Sequence, residues 1–231
     1  TLKGRRHYSV PVYYLGNFCA AAGFCPVFGG TLRDSLFAGL LGLIIGFVSR
    51  QMDRRETNPF FSTIVEAFAM AAPAYLAAGF HLVDYIDFVI IGTLMILVPG
   101  LLITTSMRDI IYGDTNSGIN RIVQVLLSAF AIALGTAAAW RVTSGVYGLT
   151  VASGSASYPA WAQAVMIFVA CTGFFILFNV HDWGSILCAL GGVFTWMTYL
   201  LCHDLGMSIY SMNFFAAVVS ALYSEILARS R

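Results

Sequence analysis

The stretch AGFCPVFGGTLRDSLFAGLLG, residues 22–42, returns 150 positions later as TGFFILFNVHDWGSILCALGG, residues 172–192. Six positions are identical without a gap: Gly23/Gly173, Phe24/Phe174, Phe28/Phe178, Ser35/Ser185, Leu40/Leu190 and Gly42/Gly192. Both copies lie in apolar segments of helical length, and five such segments precede the second copy. Five is odd, so the second copy enters a membrane from the side opposite to the first. An inverted repeat of this kind is the architecture of secondary transporters, in which two antiparallel halves move around a site near the midplane.

Composition agrees with a membrane. Apolar residues make up 59% of the chain and charged residues only 10%, a balance that no soluble domain of this length needs. Eight spans are expected, at 10–30, 35–49, 59–80, 86–106, 119–139, 159–180, 184–202 and 208–227, set against a hydrocarbon core of about 30 Å. The second is the shortest, and Gly39, Gly42 and Gly46 interrupt it. The expected fold is therefore an all-α membrane protein: a polytopic helical bundle of about eight transmembrane helices, with an inverted five-helix repeat whose second half is incomplete. Residues 1–139 form the first half, 140–158 an outer linker, and 159–231 the start of the second half. The linker, rich in Gly, Ser and Thr, reads either as a connector or as a lid over an outward opening.

Charge gives the orientation. With the N-terminus inside, Lys3, Arg5, Arg6, Arg50, Arg54, Arg55, Arg108, Arg121, Arg229 and Arg231 flank the inner ends of spans, and only Arg33 and Arg141 flank the outer ends. By the positive-inside rule both ends of the chain are expected on the cytoplasmic side. No basic stretch with interleaved aromatics points to nucleic acid. Cys19, Cys25, Cys171, Cys188 and Cys202 have no metal-ligand spacing and read as small packing residues, so neither a metal nor a cofactor is expected. His181, Asp182 and Ser185 share one short turn, whereas a hydrolytic triad must converge in space, so an enzyme is not expected. The first span lacks a small-residue cleavage site and belongs to the repeat, so it is not read as a signal peptide.

Polar residues inside the spans carry the functional reading. Glu66 lies in the third span, on a face that continues through Met70, Pro73 and Ala77, with Ser62 one turn before it. An intramembrane carboxylate is costly and marks a pathway or a proton site by default; the alternative is a carboxylate bonded structurally to a neighbouring helix. Asn213, Ala217, Ser220 and Ser224 form a small-residue stripe on the last span, as Arg121, Gln124, Ser128 and Gly135 do on the fifth. Such stripes are commonly packing seams. Asn17 and Asn179 are lone amides, and Asn179 stands where Gly29 stands in the first copy.

The most chemically loaded stretch is LVPGLLITTSMRDIIYGDTNSGINRIVQ, residues 97–124. Pro99-Gly100 falls inside the fourth span, where proline removes a backbone donor, so a kink with free carbonyls near residues 95–97 is expected. Thr104, Arg108, Asp109 and Asp114 follow, and Ser117-Gly118 opens the fifth span with free amides suited to a carboxylate.

The series Pro99-Gly100, Arg108-Asp109, Gly113-Asp114 and Ser117-Gly118, followed by a long apolar helix, resembles the threonine/serine exporter family. Phe28-Gly29-Gly30 with Asp34, the run GFFILFN at 173–179, and the closing segment Tyr223–Arg229 agree. The resemblance covers nearly the whole chain. It implies a secondary transporter that exports threonine and serine across a bacterial cytoplasmic (inner) membrane, coupled to protons. Related split pairs are associated with succinate, so a dicarboxylate exporter is the alternative substrate reading, with Arg121 as a second cationic contact. A non-transporting subunit is the alternative class. Family members usually carry a soluble domain before the first span and five spans in the second half, where this sequence has the stub Thr1–His7 and three. The resemblance thus implies a partner carrying the missing half, a trimmed chain, or a homo-oligomer. Taken with the polar residues of the spans, the candidate site residues are Pro99, Gly100, Thr104, Arg108, Asp109, Asp114, Ser117, Gly118, Asn179 and Asn213 for substrate, with Glu66 and Asp109 for protons.

Overall fold

The computed structural model describes residues 8–147, 154–180 and 184–229. Among them are nine helices and no strand: α1 Val10–Phe28, α2 Leu32–Arg54, α3 Pro59–Gly79, α4 Ile86–Leu94, α5 Gly100–Ile111, α6 Thr115–Tyr147, α7 Ala160–Leu177, α8 Gly184–Asp204 and α9 Ile209–Arg229. Seven of these, all but α4 and α5, are long and apolar enough to cross a membrane. His181 and Asp182, weighed above in a hydrolytic cluster, lie outside the described residues.

The packing is that of a lipid-solvated bundle. The interior is lined by small residues, among them Ala20, Ala21, Ala38, Ala67, Ala71, Ala74 and Ala77, while Leu36, Phe47, Phe61, Leu126, Trp161 and Phe214 point outward. Without a hydrophobic force between helices in lipid, close approach depends on small side chains of this sort. The chain is a multi-pass membrane protein.

Three expectations about element boundaries change. The second span is not short. Helix α2 runs 23 residues from Thr31, whose hydroxyl and the Asp34 carboxylate form a reciprocal capping box. The glycines read as interruptions are its contact with α1: a Cβ on Gly39 would collide with the Phe18 ring, one on Gly42 with the Asn17 carbonyl, and one on Gly46 with the Asn17 amide. The fifth span is longer than expected. Helix α6 continues to Tyr147, into the stretch read as linker. The fourth span is not one helix but two, α4 and α5, separated by Met95–Pro99.

Residues 10–79 and 160–229 repeat with an offset of 150 in backbone detail. Helix starts Val10 and Ala160 correspond, as do the helix ends Arg54/Asp204 and Gly79/Arg229. The turn after α1 has Gly29 N–H donating to Pro26 and Gly30 N–H to Cys25. The turn after α7 has Asn179 N–H donating to Ile176 and Val180 N–H to Phe175, at the same offset. Gly29 (φ 117°) and Asn179 (φ 55°) are both left-handed, the conformation that closes a helix and that Asn tolerates better than other side chains. Glu56 and Gly206 repeat the same device after α2 and α8.

Helices α1 and α7 run antiparallel against each other, and their contact is reciprocal. A Cβ on Gly23 would strike Ala170, and one on Gly173 would strike Ala20, its counterpart. Phe24 and Phe174, themselves equivalent, meet edge to face at 5.6 Å. The repeated segments therefore cross in opposite directions about a local two-fold axis. Around this pair, α2 packs on α1 and α3, α8 packs on α7 and α9, α4 fits against α1, α2 and α3, and α6 lies along α3.

Candidate functional site

The break between α4 and α5 follows from its residues. Proline at 99 cannot donate to the Met95 carbonyl and biases Val98 away from the helical region. The chain tightens through Ile96 N–H to Thr93 and Leu97 N–H to Leu94, then turns at Pro99, where Gly100 N–H donates to the Val98 carbonyl at 2.8 Å. Pro99, at φ −79° and ψ 55°, is the centre of an inverse γ-turn. The carbonyls of Met95, Ile96 and Leu97 receive none of the backbone hydrogen bonds at this break. The last carbonyls of α4 and the first amides of α5 thus meet at one break, half-buried at Ile96 and Leu97 and exposed at Val98 and Gly100, the arrangement that discontinuous helices use to hold charged groups.

Three cavities surround this break and the end of α7. The first, about 230 Å³, is lined by Tyr13, Asn17, Ile45, Ser49, Thr63, Glu66, Ile96, Leu97 and Leu177. The second, about 300 Å³, lies toward the arginine-rich end and is lined by Tyr8, Tyr13, Arg50, Asp53, Leu177 and Asn179 among others. The third, about 500 Å³ and mostly apolar, is bounded by Ile96, Pro99–Leu102, Thr105, Arg121 and Phe178. Tyr13 and Leu177 belong to the first two, and Ile96 joins the first to the third.

The first cavity holds the polar chemistry. Glu66 is 8% exposed, on the second turn of α3, with one oxygen accepting from the Ser62 hydroxyl at 3.0 Å. Ser49 of α2 lines the same cavity as Glu66 and Tyr13. Asn17 is 1% exposed; its amide nitrogen donates to the Tyr13 carbonyl, while its side-chain oxygen has no hydrogen-bond partner. Gly46, by lacking a Cβ, leaves room for this side chain. A buried acceptor without a donor is costly, of order 1–3 kcal/mol, and such groups are rare in folded proteins.

The residues expected from sequence are dispersed. Pro99 and Gly100 shape the break, and Asn179 lines the entrance, its side-chain oxygen accepting from Tyr8 N–H while the Tyr8 hydroxyl donates to the Val180 carbonyl. Asp109 pairs with Arg121 at 3.0 Å and with Arg108 at 3.7 Å at the arginine-rich end of α5. Asp114 accepts from Ser117 N–H at the start of α6, and these bonds hold its carboxyl below the usual range. Gly118 lets α5 and α6 touch, since a Cβ there would meet Ile110 and the Ser106 carbonyl. Thr104 bonds back to Gly100, and Asn213, exposed on α9, bonds back to Ile209. Glu66 alone of these charged groups sits in the first cavity.

Tyr13, Ser49 and Thr63 were not singled out from sequence. A signal existed. Gly39, Gly42, Gly46, Ser49 and Asp53 follow one another at spacings of three and four on a single face of α2, which continues a packing stripe into a polar one.

The sequence pattern of the family described as "Putative threonine/serine exporter" matches residues 2–143, and that of the family described as "Threonine/Serine exporter, ThrE" matches residues 163–231. No curated protein and no solved structure matches the chain. The two matches fall on the two halves that the backbone repeat relates, and the chain belongs to the threonine/serine exporter family.

Proposed function

We propose that this chain is a secondary transporter that moves threonine and serine out of the cell, with substrate held at the α4–α5 break and protons taken up by Glu66. The family supports a transporter of small molecules in a membrane rather than an enzyme. The observation that carries the site is one cavity lined by the buried Glu66 carboxylate, by Asn17, whose side-chain oxygen has no partner among the described residues, and by Ile96 and Leu97 of the break. Burial disfavours the charged form of a carboxylate, so a group that is dry in one conformation and hydrated in the other exchanges protons across the cycle. Tyr13 on α1 lines the same cavity as Glu66, and Asp53 on α2 lines the neighbouring one. Pro99, Gly100 and Asn179 contribute the break and the entrance, and the Arg108–Asp109–Arg121 cluster serves the arginine-rich mouth, cytoplasmic by the charge asymmetry of the spans.

The test is transport of radiolabelled threonine, serine and succinate in inverted membrane vesicles, with and without a pH gradient. Threonine and serine uptake that is stimulated by the gradient is the expected result. Succinate uptake without threonine uptake would replace the substrate, and no uptake of any of the three would remove the transporter reading for the chain on its own.

A further inference from the structure

The first cavity is unlike a general polar pocket in the sign of its groups. Its contributors are the Glu66 carboxylate, the Asn17 side-chain oxygen, the Ser49 and Thr63 hydroxyls and the backbone of Ile96 and Leu97, where carbonyls lack helical partners. Among the described residues, no lysine, arginine or histidine lines it. Ser62 supplies one donor to Glu66 and the Thr63 hydroxyl is already turned to the Pro59 carbonyl; the Tyr13 and Ser49 hydroxyls also line the cavity, yet the Asn17 oxygen has no donor among the described residues. The C-terminal end of α4 adds partial negative charge from the same side.

We infer that this cavity is a binding site for a compact monovalent cationic group, either the primary ammonium of the substrate or a free alkali ion. An ammonium has three donors, which match the Glu66 carboxylate, the Asn17 oxygen and a free carbonyl of the break; an alkali ion would use the same oxygens. A substrate whose ammonium enters here directs its carboxylate past Ile96 toward the start of α5 and Arg121 in the neighbouring cavity. The backbone repeat shows that the site is single. At an offset of 150, Ala216 stands for Glu66 and Ile167 for Asn17, so the second half carries no copy of the charge or of the amide. The substrate arm of this inference rests on the exporter reading; the alkali-ion arm does not.

The test is thermal unfolding of the detergent-purified chain, read with a thiol-reactive dye as buried Cys25 and Cys202 become accessible. L-threonine is compared with N-acetyl-L-threonine, which lacks the ammonium, and sodium chloride with choline chloride at equal ionic strength. A rise in Tm of roughly 5 °C at saturation with threonine but not with the acetyl derivative identifies the ammonium. The same rise with sodium over choline identifies a free ion. Glu66→Gln and Asn17→Leu should each abolish the shift, and Asn17→Asp, which keeps the volume and restores an acceptor, should retain it. Equal shifts from threonine and its acetyl derivative with no sodium effect, no shift from either cation, or a full shift in a folded Glu66→Gln protein would overturn the inference. Labelled-threonine counterflow in proteoliposomes separates the two claims. Transport without a cation-specific shift removes only the cation site; a sodium shift without transport removes only the exporter reading.

Discussion

Asp34 and Glu66 are both buried carboxylates, and their surroundings set them to opposite work. Asp34, fully buried, accepts from Thr31 N–H at 2.9 Å, Asp84 N–H at 2.7 Å and Tyr85 N–H at 3.2 Å. It ties the start of α2 to the start of α4, with Thr31 and Arg33 both reaching Asp84 beside it. Every donor there is a fixed backbone amide, so Asp34→Asn sets an amide group against amides. The expected cost is about 3 kcal/mol, read as a fall in Tm with substrate affinity little changed in the protein that remains folded. Glu66 instead meets hydroxyls, which turn to suit either protonation state. Glu66→Gln keeps the volume and should leave the Tm of the ligand-free protein nearly unchanged, while pH-driven export is lost; threonine exchange is retained if the cation in the cavity is a free ion and lost if it is the substrate ammonium. Export at the normal rate under a pH gradient would make Glu66 a packing residue and pass the proton role to Asp109. Sequence alone located Glu66 and its face correctly, because an apolar run isolates a charge without ambiguity. It did not show which charges of the 97–124 stretch are paired with one another. Whether Asp109 stands free or between two arginines depends on how α5 and α6 fold back on each other, which no local pattern records.

The broken fourth span shows how far one element's chemistry was legible. Proline and glycine in an apolar run announced the interruption, but not that α4 would end at Leu94, five residues ahead of Pro99. That early end reflects the Thr93 hydroxyl bonding back to the Val89 carbonyl and the tightened turn that follows. The lengths of α2 and α6 were misread for a related reason. Glycine lowers helix propensity in isolation, yet in α2 it is what permits contact with α1, and packing outweighs a propensity loss of about 1 kcal/mol per residue. Two substitutions test these roles. Pro99→Ala restores a donor for the Met95 carbonyl, so the break should shorten; the expected outcome is a higher Tm and threonine counterflow reduced at least tenfold. Unchanged counterflow would show that the free carbonyls take no part in transport. Gly42→Ala forces a methyl onto the Asn17 carbonyl, 2.5 Å from its ideal position, and should cost about 1–3 kcal/mol by overpacking, visible as a lower Tm.

Across the molecule, the two-fold relation between α1–α3 and α7–α9 makes each half a control for the other. On the arginine-rich side, Gly46 leaves space beside Tyr13, and a cavity opens there. At the equivalent positions of the second half stand Trp196 and Gln163. The Trp196 indole N–H donates to the Gln163 side-chain oxygen at 2.9 Å, and the Gln163 amide donates to the Tyr158 carbonyl at 2.9 Å. Trp196 also stacks on Tyr199, the counterpart of Ser49. At the end that carries Trp196, opposite the arginine-rich one, Ala156 N–H donates to the Gly29 carbonyl and Gly154 rests on the Tyr85 ring, so residues 154–156 of the linker lie against the end of α1 and the start of α4. The molecule is thus open where a glycine stands and filled where a tryptophan stands. If an inverted repeat alternates by exchanging the conformations of its halves, the Trp196–Gln163 pair is what must part for the other side to open. Trp196→Gly removes the plug and should cost about 3–5 kcal/mol as a large-to-small change, so it is read beside Trp196→Phe, which keeps most of the ring and loses only the hydrogen bond. With Leu200→Cys as reporter, at the position equivalent to Arg50 in the open cavity, a membrane-impermeant thiol reagent added from the side opposite the arginine-rich end should label the Trp196→Gly protein many times faster than the parent. The Trp196→Phe protein should fall between them. Equal labelling of all three would mean that this side is closed elsewhere, and the contact of residues 154–156 with Gly29 and Tyr85 would then be the barrier to probe.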